Sequence, residues 1–193
     1  MGNKYYDLPS ARGRDNMGGY AVTAYLCPID SFETIKGFKA TTAPGDKVTI
    51  DGSHIWKTDK GVIKVKTTLA TLKAMIESVG ERGGKSHKGT LEFFRPGTTK
   101  ADAEFQRQAP NDEFIMFVKD PNTNQWLQCG SEDLPLEISA KHDSGTVAEG
   151  RKGFTYNGEW FALGLAFYEG DFTFDPTSLS SGGPEDDETF VGG

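Results

Sequence analysis

The chain has 193 residues, 36% hydrophobic, 11% aromatic and 25% charged, with a formal charge of −7. This length supports one substantial core, and the negative balance argues against tight nucleic-acid binding, which needs a surplus of Lys and Arg on one face. With 24 glycines and 9 prolines, many short elements joined by turns are expected in place of long helices.

Residues 1–19 contain Pro9, Gly13, Gly18 and Gly19 among mixed charges and carry no apolar period, so they read as an N-terminal arm. No basic stretch followed by an apolar run opens the chain, and no apolar segment approaches the roughly 18 residues of a membrane span, so neither a secretory leader nor a span is expected. The Met-Gly start is not a myristoylation motif, because Tyr6 stands where Ser or Thr is required. Residues 20–26 are β-branched and aromatic and stop at Pro28; residues 32–35 extend the same pattern. Residues 47–50 and 54–57 flank Asp51-Gly52, a pair suited to a type I′ turn, and predict a hairpin. Residues 62–67 alternate as a further strand.

Residues 69–79 fit two periods. Leu72, Met75, Ile76 and Val79 would share a helical face, whereas Leu72, Ala74, Ile76 and Ser78 share one face of a strand. The strand is favoured because Gly80, Gly83 and Gly84 lead into an apolar return at 89–94, making a long hairpin. Thr98 or Thr99 caps a helix at about residues 99–108, with Ala101, Ala103, Phe105 and Ala109 as its apolar stripe and Pro110 as its stop. Residues 113–119 and 125–129 form a hairpin across Asp120-Pro121. Residues 134–140 alternate as a strand placed near an edge by Pro135, and residues 153–156 and 159–168 form a last hairpin across Asn157-Gly158. The sum is a mainly β fold: an antiparallel β-barrel or sandwich with one flanking α-helix, a long hairpin and extended terminal arms. Its domain spans residues 20–172, and residues 173–193 read as an acidic, mobile C-terminal tail.

Little in the chain suggests chemistry. Cys27 and Cys129 stand alone in apolar strands and read as buried, reduced thiols. His54, His87 and His142 lack zinc-site spacing and read as surface or strand residues. No nucleophile elbow, P-loop or dinucleotide fingerprint occurs, and the glycines at 80–89 lead into a strand where a phosphate loop needs a helix. The acids Glu132-Asp133 and those at 185–188 lack calcium-loop spacing. Trp56, Trp126 and Trp160 could form a sugar platform, but their alternating strands favour a core role. No catalytic, metal or cofactor set emerges, and a non-enzymatic role without cofactor is expected.

Residues 89–97 (GTLEFFRPG), a short helix, residues 111–118 (NDEFIMFV), a turn, residues 126–130 (WLQCG), Leu134-Pro135, Ser144-Gly-Thr and residues 150–154 (GRKGF) together resemble phage tail-tube-like virion proteins, particularly those of phages infecting Bacteroidetes. The resemblance covers about residues 55–170. It implies a subunit whose copies, six to a ring, join through continuous sheets and stack into a tube; DNA passes the lumen without specific binding. It also implies other tail or connector proteins as partners, no membrane, and a place in the virion tail after assembly in the host cytoplasm. The acidic tail is not required by that pattern, and a head-to-tail connector ring, a capsid decoration protein or a carbohydrate-binding module are the alternatives. The candidate subunit-interface residues are Tyr5 and Tyr6 of the arm, with Leu72, Met75, Ile76, Val79 and Phe93 of the long hairpin.

Overall fold

The computed structural model describes residues 8, 10, 17–41, 43–58, 60, 62–146 and 150–172. Eleven strands and one α-helix follow in the order β1 (Thr23–Pro28), β2 (Phe32–Thr34), β3 (Ile55–Trp56), β4 (Ile63–Lys66), β5 (Lys73–Val79), β6 (Ser86–Pro96), α1 (Lys100–Gln108), β7 (Glu113–Lys119), β8 (Trp126–Cys129), β9 (Leu136–Asp143), β10 (Gly153–Ala162) and β11 (Ala166–Tyr168). Nine strands form one antiparallel sheet along the path β11-β8-β7-β9-β10-β6-β5, with β1 and β4 attached beside β7. The path does not close on itself, so of the two expected architectures the fold is a sandwich and not a barrel.

The sheet turns its corner at β7. Glu113 and Phe114 pair with β9, while the rest of the strand, from Met116 to Lys119, pairs with β8; β1 lies along the opposite side of β7. The half formed by β4, β1, β7 and β8 therefore faces the half formed by β9, β10, β6 and β5. Leu26, Met116, Val118 and Cys129 from the first half pack with Phe93, Ile138, Tyr156 and Trp160 from the second in one apolar core. A second core forms on the other face of the first half, where Cys27, Ile115, Phe117 and Tyr168 meet Phe32 and Trp56 of the small β2-β3 sheet. An apolar run that alternates between two buried faces is what an interior strand requires, and residues 114–118 are buried without a break.

The hairpin of β5 and β6 is present, and β5 is a strand. It is not a free arm: β10 pairs with β6 along its whole length, from Gly153–Pro96 to Ala162–His87. Opposite charges sit across the register at Lys73–Glu92 and Glu77–Lys88 and favour this alignment.

Two expected hairpins are absent. Asp51-Gly52 does not join two paired strands: Ile50 bridges Phe38, Thr49 bridges Phe167, and β3 pairs with β2. Asn157-Gly158 lies inside the continuous β10, paired with Glu92 and Leu91 on one side and with Ser139 and Ile138 on the other. Packing chose that glycine, since a Cβ there would stand 2.8 Å from a methyl of Leu136. Pro135 precedes β9, which pairs with β10 along 137–143 and with β7 only at Leu136 and Glu137; beyond them its second side has no strand partner among the described residues, and there the amide of Gln106 donates to the Ala140 carbonyl at 3.2 Å.

Helix α1 starts where Thr99 caps it, its hydroxyl accepting from the Asp102 N–H at 3.1 Å. The buried face differs from the expected stripe. Ala101 and Ala103 are exposed, and Asp102, Phe105, Gln106 and Ala109 turn inward at helical spacing. Asp102 is tolerated there because Arg95 Nε donates to it at 2.8 Å and the Thr99 hydroxyl at 2.7 Å.

The arm, including Tyr5 and Tyr6, and the acidic tail lie outside the described residues. Cys27 and Cys129 are free, buried thiols, one in each core.

Gly89 has room for no side chain, because an added Cβ would lie 2.1 Å from the Trp160 ring. Gly89→Ala is expected to lower unfolding stability by about 1–3 kcal/mol, the range for overpacking a filled core. The check is a urea titration showing a lower midpoint at unchanged slope.

Candidate functional site

Among the described residues, three strands of the nine-stranded sheet have one whole side without a strand partner: β4, β11 and β5. An open row of backbone N–H and C=O groups invites pairing with another chain, and a fold either guards it or uses it. β11 is guarded by the segment before β3, where Thr49 bridges Phe167 and the Ile50 N–H donates to the Phe167 carbonyl at 2.9 Å. β4 has only 4 residues, and exposed Lys64 and Lys66 alternate along it, a pattern that discourages pairing. β5 differs from both. Its 7 residues pair with β6 alone; on the other side the Tyr20 N–H donates to the carbonyl of Leu72, the residue before β5, at 3.4 Å, and no strand pairs with it among the described residues.

Beside this edge the sandwich is not sealed. A slot of about 250 Å³ opens between the halves, lined by Tyr20, Ala74, Ile76, Val118, Trp160 and Leu165. A second cleft of about 280 Å³ adjoins it through Trp160 and Gln128 and is bordered by Leu134, Phe161 and Leu163. Large side chains on this rim face water: Met75 is 45% exposed, Phe161 50%, Leu163 82% and Leu165 39%. Isolated exposed leucines are ordinary, whereas apolar side chains grouped at an opening mark a contact surface; Met75 and Leu165 share the slot beside β5, and Phe161 and Leu163 border the second cleft.

The outer face of the same half carries Lys73, Glu77, Lys88, Glu92, Glu137 and Glu159, all outward of the core. Lys73 lies across from Glu92 and Lys88 across from Glu77, and Lys88 Nζ stands 2.9 Å from Glu159.

Of the candidate interface residues, Met75, Ile76 and Val79 come together on β5, with Met75 outward and Ile76 lining the slot. Leu72 and Phe93 are buried in the main core, and Phe93 stacks on Tyr156 with ring centroids 4.8 Å apart. Phe93 falls on the inward phase of β6, and Leu72 stands just before β5. The exposed group at 161–165 was hidden by reading residues 159–168 as one strand; the sequence signal was an apolar run, FALGL, too long for one buried face.

His54 is neither surface nor strand. It is buried in the second core against Tyr168 and Phe32. Nδ1 accepts from the Lys36 N–H at 3.0 Å, so the proton sits on Nε2, which donates to Gln128 Oε1 at 2.9 Å. Gln128 Nε2 in turn donates to the Gly130 carbonyl at 3.0 Å. This chain of bonds ties the loop at 36 and the start of the β8–β9 connection into the cleft wall. Burial holds the His54 pKa below its usual value. It pushes the Cys129 thiol up to about 12 and raises Cys27 as well, so neither is a reactive nucleophile. Among the described residues no group of three His, Cys, Asp or Glu side chains is placed to hold a metal ion, and no helix is long and apolar enough to cross a membrane.

No protein-family model, curated protein or solved structure matches this chain.

Because His54 binds its proton more weakly folded than unfolded, its contribution is complete above the unfolded value of about 6.5 and is lost as pH falls below it toward the depressed folded value. Thermal unfolding followed from pH 8 to pH 5 is therefore expected to show a falling Tm, and His54→Gln a flatter profile over the same window.

Proposed function

We propose that this chain is a structural subunit of a phage tail tube. Its copies join into rings, six in each, and the rings stack around a lumen that conducts DNA. The observation that carries this reading is β5, a 7-residue edge without a second strand partner among the described residues, with exposed Met75 and Leu165 at the slot beside it. The other two edges are covered or blunted, so the fold spends its protection selectively. A neighbour pairing there would satisfy the backbone and bury the rim in one step, the logic of an interface repeated around a closed ring.

The charge pattern supports the lumen. A net charge of −7 and an outer sheet face on which Lys73 and Lys88 sit across from carboxylates give a polyanion little to hold. Weak binding is what a sliding DNA requires. The number of subunits and the tube itself come from the resemblance of residues 55–170 to tail-tube-like proteins, and partners elsewhere in the tail follow from the same source.

The test is size-exclusion chromatography with light scattering, followed by negative-stain microscopy of the purified chain. Rings or stacked tubes are expected; a monomer at every concentration overturns the proposal. Met75→Lys combined with Leu165→Lys is expected to keep the circular dichroism of the parent and to raise the concentration needed for assembly by at least about tenfold. Losing even one apolar side chain of this size from an interface removes roughly 1.5–3 kcal/mol of burial, against 1.4 kcal/mol per decade.

A further inference from the structure

The edge of β5 has a distinctive electrostatic setting. At the turn that leads from β5 to β6, Arg82 and Lys85 outnumber Glu81, in a chain that is acidic overall. Residues 173–193 show the opposite bias: Asp175, Glu185, Asp186, Asp187 and Glu188 with no Lys or Arg. Directly after the four consecutive acids come Thr189, Phe190 and Val191, three residues that favour extended backbone, one of them an aromatic anchor.

We propose that residues 185–191 of one copy add to β5 of a second copy as an antiparallel strand, with the carboxylates over the basic turn and Phe190 in the slot beside Ile76. This inference rests on the assembly reading above and names the segment that supplies the pairing strand. Direction follows from the order of features. β5 runs from Lys73 beside the slot toward the basic turn, so only an antiparallel partner brings acids to Arg82 and Lys85 while Phe190 reaches Ala74 and Ile76. A parallel partner would put the aromatic at the turn and the acids against the apolar slot. Main-chain bonds would supply affinity and the seated side chain specificity, the general mode of strand addition.

The N-terminal arm is the poorer occupant. Its residues 1–16 hold Lys4, Arg12 and Arg14 against Asp7 and Asp15, close to neutral, with Pro9 and Gly13 interrupting any strand. Reach is no obstacle for the tail. The 12 residues between Phe172 and Glu185 extend to about 40 Å, more than the spacing of several strands.

The experiment uses the full chain. Cys27 and Cys129 are buried, so introduced thiols report alone. A Glu77→Cys chain is mixed with a Thr189→Cys chain under mild oxidation, with Lys141→Cys on the exposed outer part of β9 in place of Glu77→Cys as the control. A disulfide-linked heterodimer is expected from the 77–189 pair and at most background from 141–189. Adding Arg82→Glu and Lys85→Glu to the Glu77→Cys chain should lower the yield roughly tenfold, the scale of two surface charge pairs made repulsive. Reversing Glu185 and Asp186 to Lys in the partner chain should restore it.

Equal yields from 77–189 and 141–189 would overturn the inference. So would a 77–189 disulfide that forms within one doubly substituted chain and not between two chains, since the tail would then fold back on its own subunit. Rings or tubes that persist in microscopy without the 77–189 product sink this inference and leave the assembly reading standing. A chain that never assembles but still gives the product does the reverse.

Discussion

The fold depends on one strand being buried on both sides. Phe114, Met116 and Val118 of β7 point into the main core, and Ile115 and Phe117 into the second. Burying each such side chain contributes roughly 1.5–3 kcal/mol, so this single segment accounts for a large share of the driving force available to a domain of this size. Because β7 also hands its backbone from β9 to β8 along its length, the relative placement of all three layers is decided there. The sheet cannot flatten without exposing one core and cannot close without expelling the other.

An open sandwich of this kind must end somewhere, and the treatment of its ends is uneven. The segment around Thr49 covers β11, lysines and brevity protect β4, and β5 is left with apolar neighbours. Edge protection is inexpensive, often a single charge at the right position. On the longest of the three edges of the main sheet the charges Lys73 and Glu77 face Glu92 and Lys88 of β6, and among the described residues no strand pairs with its other side; this edge, next to a slot between the halves, is the physical basis for proposing the molecule as one unit of a larger array.

Where local chemistry and tertiary packing agreed, the elements were readable from residues alone. The run at 113–119, the Thr99 cap and Pro110 stop of α1, and the glycines between β5 and β6 each have one structural solution. Where they disagreed, packing won. Asn157-Gly158 has strong turn chemistry, yet Gly158 was needed for the space beside Leu136, and the strand runs straight through. Asp51-Gly52 lost its hairpin because β3 found β2 instead. The inward turn of Asp102 could not be read from the helix pattern, since it depends on Arg95 arriving from β6. The edge itself was only half legible: Met75, Ile76 and Val79 lie on one recognisable strand, but their exposed companions at 161–165 come from a connection some ninety residues away in the chain.

The two thiols have a use that follows from where they sit. Cys129 belongs to the core between the halves and Cys27 to the core beneath the small sheet. Each layer thus carries its own timer: the rate at which a thiol reagent reaches one sulfur or the other reports separately on the parting of the two halves and on the lifting of β2 and β3, with no label added to the molecule.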